Sequence, residues 1–376
     1  MENLAQRIVF SLVIALAALF APFAGNPVSQ PSLALQAGVD SGPGQVESSS
    51  GGFAPVAASC MATLDDGLTV LASADAAALR AALASAPMGS IVKVSGTCAG
   101  VAFQNGSTQV AIISQTLTLA GGFTPTGWLM AYPITQPTTL DAVGGGRVVL
   151  LNAAATLKGL TIKGGNISGH GGGLFASQPL TISEVIIVGN TASGDGGGAW
   201  IGQSALVSGS SFVSNTGFLG GGALFDGYAA VSGSTFVGNH GGVGGGASFS
   251  QIAVVSGSEF NRNTAHDGGG ASFAGQTIVT DSGFTENFAN ALGGGAVFWT
   301  AATISGSLFV RNSSQVGSGG GAQLNAATIT GTSFLNNSAV GGGGVSINGN
   351  TSISGGVFRG NSAQSAGGGG YVSGDL

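Results

Sequence analysis

The sequence predicts an all-β chain: a right-handed, single-stranded parallel β-helix with a short N-terminal capping helix, 24–25 residues in each coil and three short strands per coil. Three observations predict it. Glycine makes up 71 of the 376 residues, and each costs about 1 kcal/mol relative to Ala inside a helix, so a mainly helical chain is excluded. Hydrophobic residues reach 43%, with 20 Phe, which is ample apolar surface to bury and argues against disorder. Glycine does not fall at every third position and only 10 Pro occur, so collagen fails as well. The third observation is a repeat of 24 or 25 residues, too short for two helices but long enough for three β pieces.

The elements follow in order. Residues 1–24 place Arg7 ahead of an apolar run from Ile8 to Phe23 and read as a secretory signal peptide cleaved after Ala24. That run is short of the ~20 residues a spanning helix needs, so export is preferred over a membrane anchor. Residues 25–59 are rich in Ser, Gly, Pro and Ala and read as a flexible linker. The folded part spans 60–376, with a cap and first coils over 60–165 and regular repeats over 166–376. Its start carries both cysteines, Cys60 and Cys98, as a disulfide after export or as two free buried thiols.

SADAAALRAALASA (73–86) offers Ser73 as N-cap, Leu79 and Leu83 on one helical face, and Pro87 just beyond the end. A helix there would cover the open edge of the first coil, which otherwise templates aggregation. IVKVSG (91–96), AIISQTLTLAGGF (111–123), GRVVLL (146–151) and LKGLTIKGG (157–165) read as strands.

From residue 166 an aromatic-x-x-Asn element recurs. Its aromatic column is Phe212, Phe236, Phe260, Phe284, Phe309, Phe334 and Phe358; its amide column is Asn190, Asn215, Asn239, Asn263, Asn287, Asn312, Asn337 and Asn361. Glycine triplets, from GGGLF (171–175) to GGGGYV (367–372), mark a second point in every coil. A third column, Ile or Val five residues before each Phe, runs from Ile182 to Ile353. Coils stack at about 4.8 Å, so a column of identical positions becomes a ladder of side chains. The Phe column forms an internal stack. Asn, which tolerates left-handed backbone and carries both donor and acceptor, bonds coil to coil at a corner. Crossover chirality gives the right-handed coil.

The paired FxxN and GGA-type elements resemble the repeats of the chlamydial polymorphic outer-membrane proteins, and the coil resembles the wider pectin-lyase-like family of right-handed β-helices. The resemblance covers residues 166–376. It implies a surface-displayed passenger acting in adhesion, which in the chlamydial family precedes an outer-membrane barrel. Here the sequence stops at Leu376 just after another coil begins, so a truncated passenger or a subunit of a longer solenoid is a third reading.

Chemistry is sparse. The net charge of −6 is thinly spread and no basic run interleaves with aromatics, which excludes a nucleic-acid partner. Asp195 and Asp267 share a column but lie three coils apart, about 14 Å, beyond the reach of a glycosidase carboxylate pair. His170, His240 and His266 occupy three repeats and do not converge on a metal. Arg262, Glu286 and Arg311, two residues after successive Phe, form an alternating charge ladder if the chain bends at that corner. Ser208, Ser232, Ser256, Thr280, Ser305 and Thr330, within a hydroxyl column running from Ser183 to Ser354, form a candidate binding face. Trp200 and Trp299 could stack on a sugar ring. On this reading the chain has no catalytic, cofactor or metal site and is not an enzyme. It is a cell-surface or secreted, outer-membrane-associated binding, adhesion or structural module, with no membrane span once mature. Its partners are an extracellular polysaccharide or surface protein, or another copy joined end to end through the uncapped last coil. The alternative is a polysaccharide lyase or hydrolase of pectin-lyase-like fold.

Overall fold

The computed structural model describes residues 59–104 and 106–373; the expected signal peptide and most of the expected linker lie outside them. Among the described residues no helix is long and apolar enough to cross a membrane. The described residues form a right-handed parallel β-solenoid of about 11 turns, with a single helix among them.

That helix, α1 (Ala77–Ser85), buries Ala78, Leu79, Ala82 and Leu83 on the core of the first coils. It starts three residues later than the Ser73 cap predicts. Asp75 Oδ1 accepts the Ala77 N–H at 2.8 Å and Ser73 Oγ accepts that of Ala78 at 2.9 Å, so two side chains upstream of the helix share the capping. Strand Cys60–Thr63 pairs antiparallel with Leu71–Ser73 and with Ile91–Ala99. Cys60 and Cys98 are bonded to each other and wholly buried.

Beyond the antiparallel hairpin of Ala102–Gln104 and Ser107–Ile113, successive coils pair strand on strand in parallel. Ala247–Phe249, Ala253–Ser256 and Glu259–Asn261 stack on Ala271–Phe273, Thr277–Thr280 and Gly283–Thr285 without a register slip. The structure adds a fourth short strand after the Asn, represented by Thr264–Asp267, which joins a five-stranded sheet running to Ser362–Ala366.

The Phe column from Phe212 to Phe358 stacks ring on ring at 4.6–4.9 Å. A second stack, Phe225–Phe249–Phe273–Phe298, fills the core beside it at 4.7–4.9 Å. The Asn ladder is buried from Asn190 to Asn337. Asn263 is typical: Nδ2 donates to the Phe236 carbonyl at 2.8 Å and to Asn287 Oδ1 at 3.0 Å, while Oδ1 accepts from the N–H and the Nδ2 of Asn239, both at 3.0 Å.

The left-handed residue at this corner is the one before the Asn: Ser214, Arg262, Glu286, Arg311 and Asn336 all have φ between 50 and 55°. That bend turns the Phe+2 side chain outward and assembles the charge ladder, with Arg262 Nε 2.8 Å from Glu286 Oε2 and Arg311 Nη2 2.6 Å from Oε1. Against the Asn ladder, a Cβ on Gly246 would sit 2.5 Å from the Gly270 carbonyl oxygen and 3.1 Å from the Asn263 amide. Only hydrogen fits where one coil approaches the next that closely.

Candidate functional site

Alternation decides which side chains leave the coil. In the strand of pattern A-x-V-S the first and third residues face the core. The second and fourth face out, so Ser183, Ser208, Ser232, Ser256, Thr280, Ser305, Thr330 and Ser354 form an outward ladder, one hydroxyl per coil. The neighbouring outward column is apolar in its middle (Leu206, Ala230, Val254, Ile278) and carries Thr at both ends, at Thr181 and at Thr303 and Thr328.

The two tryptophans stand apart from this ladder and from each other. Trp200 is the outward residue of Ala199–Ile201; Trp299 lies four coils on, about 19 Å along the axis, and its Nε1 donates to Ser272 Oγ at 3.1 Å. They do not form one platform.

Trp200 belongs instead to a cluster at the head of its own face. Its ring stacks on Phe175 with centroids 4.4 Å apart. The Arg147 guanidinium lies 5.0 Å over the Phe175 ring, a cation–π contact. Arg147 is buried, which pushes its pKa down from the usual arginine value; its Nε donates to the Gly171 carbonyl at 3.0 Å and its Nη2 to that of His170 at 2.9 Å. The His170 ring lies 6.5 Å from Trp200 and meets Asp195 twice: Nδ1 is 3.1 Å from Oδ2 and 3.0 Å from the Asp195 N–H. The N–H contact needs a lone pair on Nδ1 and the carboxylate contact needs a proton there, so the two contacts belong to different tautomers of the ring. The other Asp195 oxygen accepts the Leu219 N–H at 3.0 Å, which fixes the carboxylate.

Asp267 repeats part of this arrangement three coils on, with His266 Nδ1 at 3.0 Å and the Leu292 N–H at 3.0 Å, but no aromatic pair stands beside it. The two carboxylates do not converge. Among the described residues no group of three or more His, Cys, Asp or Glu could hold a metal ion.

Sequence reasoning singled out Trp200 and weighed Asp195 only against Asp267, and it missed the set Arg147, His170, Phe175 and Asp195. The signal was present in the repeat: His170 and Asp195 hold the position before the first Gly of adjacent triplets, and Phe175 and Trp200 are register partners. Searching a column for like residues hides contacts between unlike residues in the same column.

No family model matches the chain, and no curated protein matches it. The chlamydial family is therefore not shown. Among solved structures the chain is similar to the alginate lyase from Paenibacillus sp. str. FPU-7, at 15% identity and a TM-score of 0.33, over 79% of this chain and 97% of that one. The expectation that the chain is not an enzyme is withdrawn; at a TM-score of 0.33 the likeness itself assigns no activity to this chain.

Proposed function

We propose that the chain is an exported, carbohydrate-active β-helix acting as a lyase or hydrolase on an extracellular polysaccharide, with Trp200, Phe175, Arg147, His170 and Asp195 as its site. The observation that carries the reading is an exposed imidazole bonded to a fixed carboxylate beside a stacked aromatic pair and a cation. Each part has a role. Trp200 offers an apolar ring for a pyranose face. Arg147 supplies positive charge near an acidic sugar. His170 brings an imidazole, a group suited to proton transfer, with Asp195 positioning it. The hydroxyl ladder from Ser208 to Thr330 gives a polymer further polar contacts along the axis. Export rests on Arg7 and the apolar run behind it, and implies work outside the cell or at its surface.

The test incubates the purified chain with a panel of acidic polysaccharides and reads new unsaturated and reducing ends. Activity that disappears in His170→Ala and falls at least tenfold in Asp195→Asn supports the assignment. Cleavage untouched by either substitution, or no new ends on any polymer, rejects it.

A further inference from the structure

The fourth strand carries a groove that the proposed site does not use. Its cause is a mismatch in loop length. The Gly triplet begins seven residues after Asn312, five after Asn337 and six after Asn361, so one short coil is recessed between two longer ones. The space left over it is about 600 Å³, lined by Ser313, Ser338 and Ser362 in register, by the Gln315 and Gln364 amides from the longer coils, and by Phe288 at one end. No charged residue lines it.

The polar groups here differ from serines elsewhere in the coil. Ser210, Ser234, Ser258, Ser282 and Ser307 each accept an N–H from the preceding coil and donate to a carbonyl two residues back, so their hydroxyls are used up. Ser314 in the groove floor donates to the Ala291 carbonyl. By contrast, the side chains of Ser313, Ser338, Ser362, Gln315 and Gln364 make no hydrogen bond to other described residues. Donors and acceptors left open at one per coil, about 4.8 Å apart, suit a ligand that itself repeats along the axis. An aromatic wall and an uncharged lining select a sugar over an anion or cation.

We propose that this groove is a second glycan-binding site, specific for a neutral polysaccharide and separate from the Trp200 cluster. The full chain is titrated calorimetrically with a neutral β-glucan, xylan and mannan and with a polyuronate, at low and high salt. The expected result is binding of at least one neutral glycan with an affinity insensitive to salt, because no ion pair is screened. Affinity falls at least tenfold in Phe288→Ala and in Gln315→Ala with Gln364→Ala, and is unchanged in Trp200→Ala. No binding of any neutral glycan, binding that survives the groove substitutions, or binding lost in Trp200→Ala each overturns the proposal. Gln315→Glu with Gln364→Glu keeps side-chain shape, removes both amide NH2 groups and adds charge, so it is predicted to lose binding even if an alanine variant unfolds. Polymer cleavage is read in a different assay with different variants, so either reading can fail while the other stands.

Discussion

Replacing Asn263 by Ala tests whether the amide ladder holds the coils in register. The substitution deletes four hydrogen bonds at once. Three leave a partner that keeps another bond or shares a ladder carbonyl, and each contributes about 0.5–1.5 kcal/mol. The fourth strands the Asn239 N–H, which has no other acceptor and is buried, at a cost of about 1–3 kcal/mol. The total is on the order of 2.5–7.5 kcal/mol, a large part of the ~5–15 kcal/mol that holds a typical domain. Urea unfolding followed by far-UV circular dichroism measures it. Hydrogen exchange at the Asn239 amide localises it, which matters because solenoids can open coil by coil. Asn361→Ala, at the half-exposed end of the ladder where water replaces the lost partners, is predicted to cost only about 1–2 kcal/mol. A loss under about 1 kcal/mol for Asn263→Ala, with Asn239 protection unchanged, would refute the reasoning.

Gly246→Ala places a methyl 2.5 Å from the Gly270 carbonyl and is expected to part the coils, whereas Gly233→Ala meets nothing within 4 Å and costs only the ~1–2 kcal/mol of its left-handed φ; thermal unfolding of the two separates close approach from backbone strain. Cys60→Ala with Cys98→Ala opens a loop of 38 residues and should lower stability by about 3–4 kcal/mol under oxidising conditions, and not at all relative to the reduced parent. The Glu286 carboxyl is held below its ordinary pKa by hydrogen bonds from Arg311 and then Arg262, so its contribution is present above the unfolded value of 4.5 and is lost as pH falls through the folded one; Glu286→Gln should flatten the acid limb of the stability profile. Glu259 runs the other way, its pKa pushed up from 4.5 by burial, so ionisation weakens the fold as pH rises past that value, and Glu259→Gln should raise the unfolding midpoint at neutral pH while leaving it unchanged in acid.

What could be read from the chain depended on whether a feature repeats. Phe236 and Phe260, Asn239 and Asn263, and Ser232 and Ser256 are identical residues one coil apart, so spacing alone predicted contacts the structure places in register. The bend at Arg262 was needed to turn that side chain outward, and the left-handed φ supplies it. The second aromatic stack was as periodic as the first, in GGGALF, GGGASF and GGGAVF, yet the glycines beside it drew the reading toward a corner. The Trp200 cluster was illegible for a different reason. Its members differ chemically and come from three successive coils, so the pairs His170–Asp195 and Phe175–Trp200 occupy shared columns without repeating a residue type, and Arg147 joins them from the coil before.

The same contrast bears on where function can reside in such a rod. Perfect repetition uses up its own hydrogen bonds: the inner Ser and Asn ladders satisfy each coil with the next and leave nothing to offer a ligand. Recognition therefore concentrates where the period fails. At Arg147, His170 and Asp195 the residues vary from coil to coil while the backbone stays regular. Between Asn312 and Gly367 the corner residues stay small and polar while their number changes from coil to coil. A chain with the Asn312, Asn337 and Asn361 corners cut to a uniform five residues would keep the Phe and Asn ladders and the rod, but lose the recess beside Phe288. If that uniform variant still bound the neutral glycan, loop-length mismatch would not be what makes the groove.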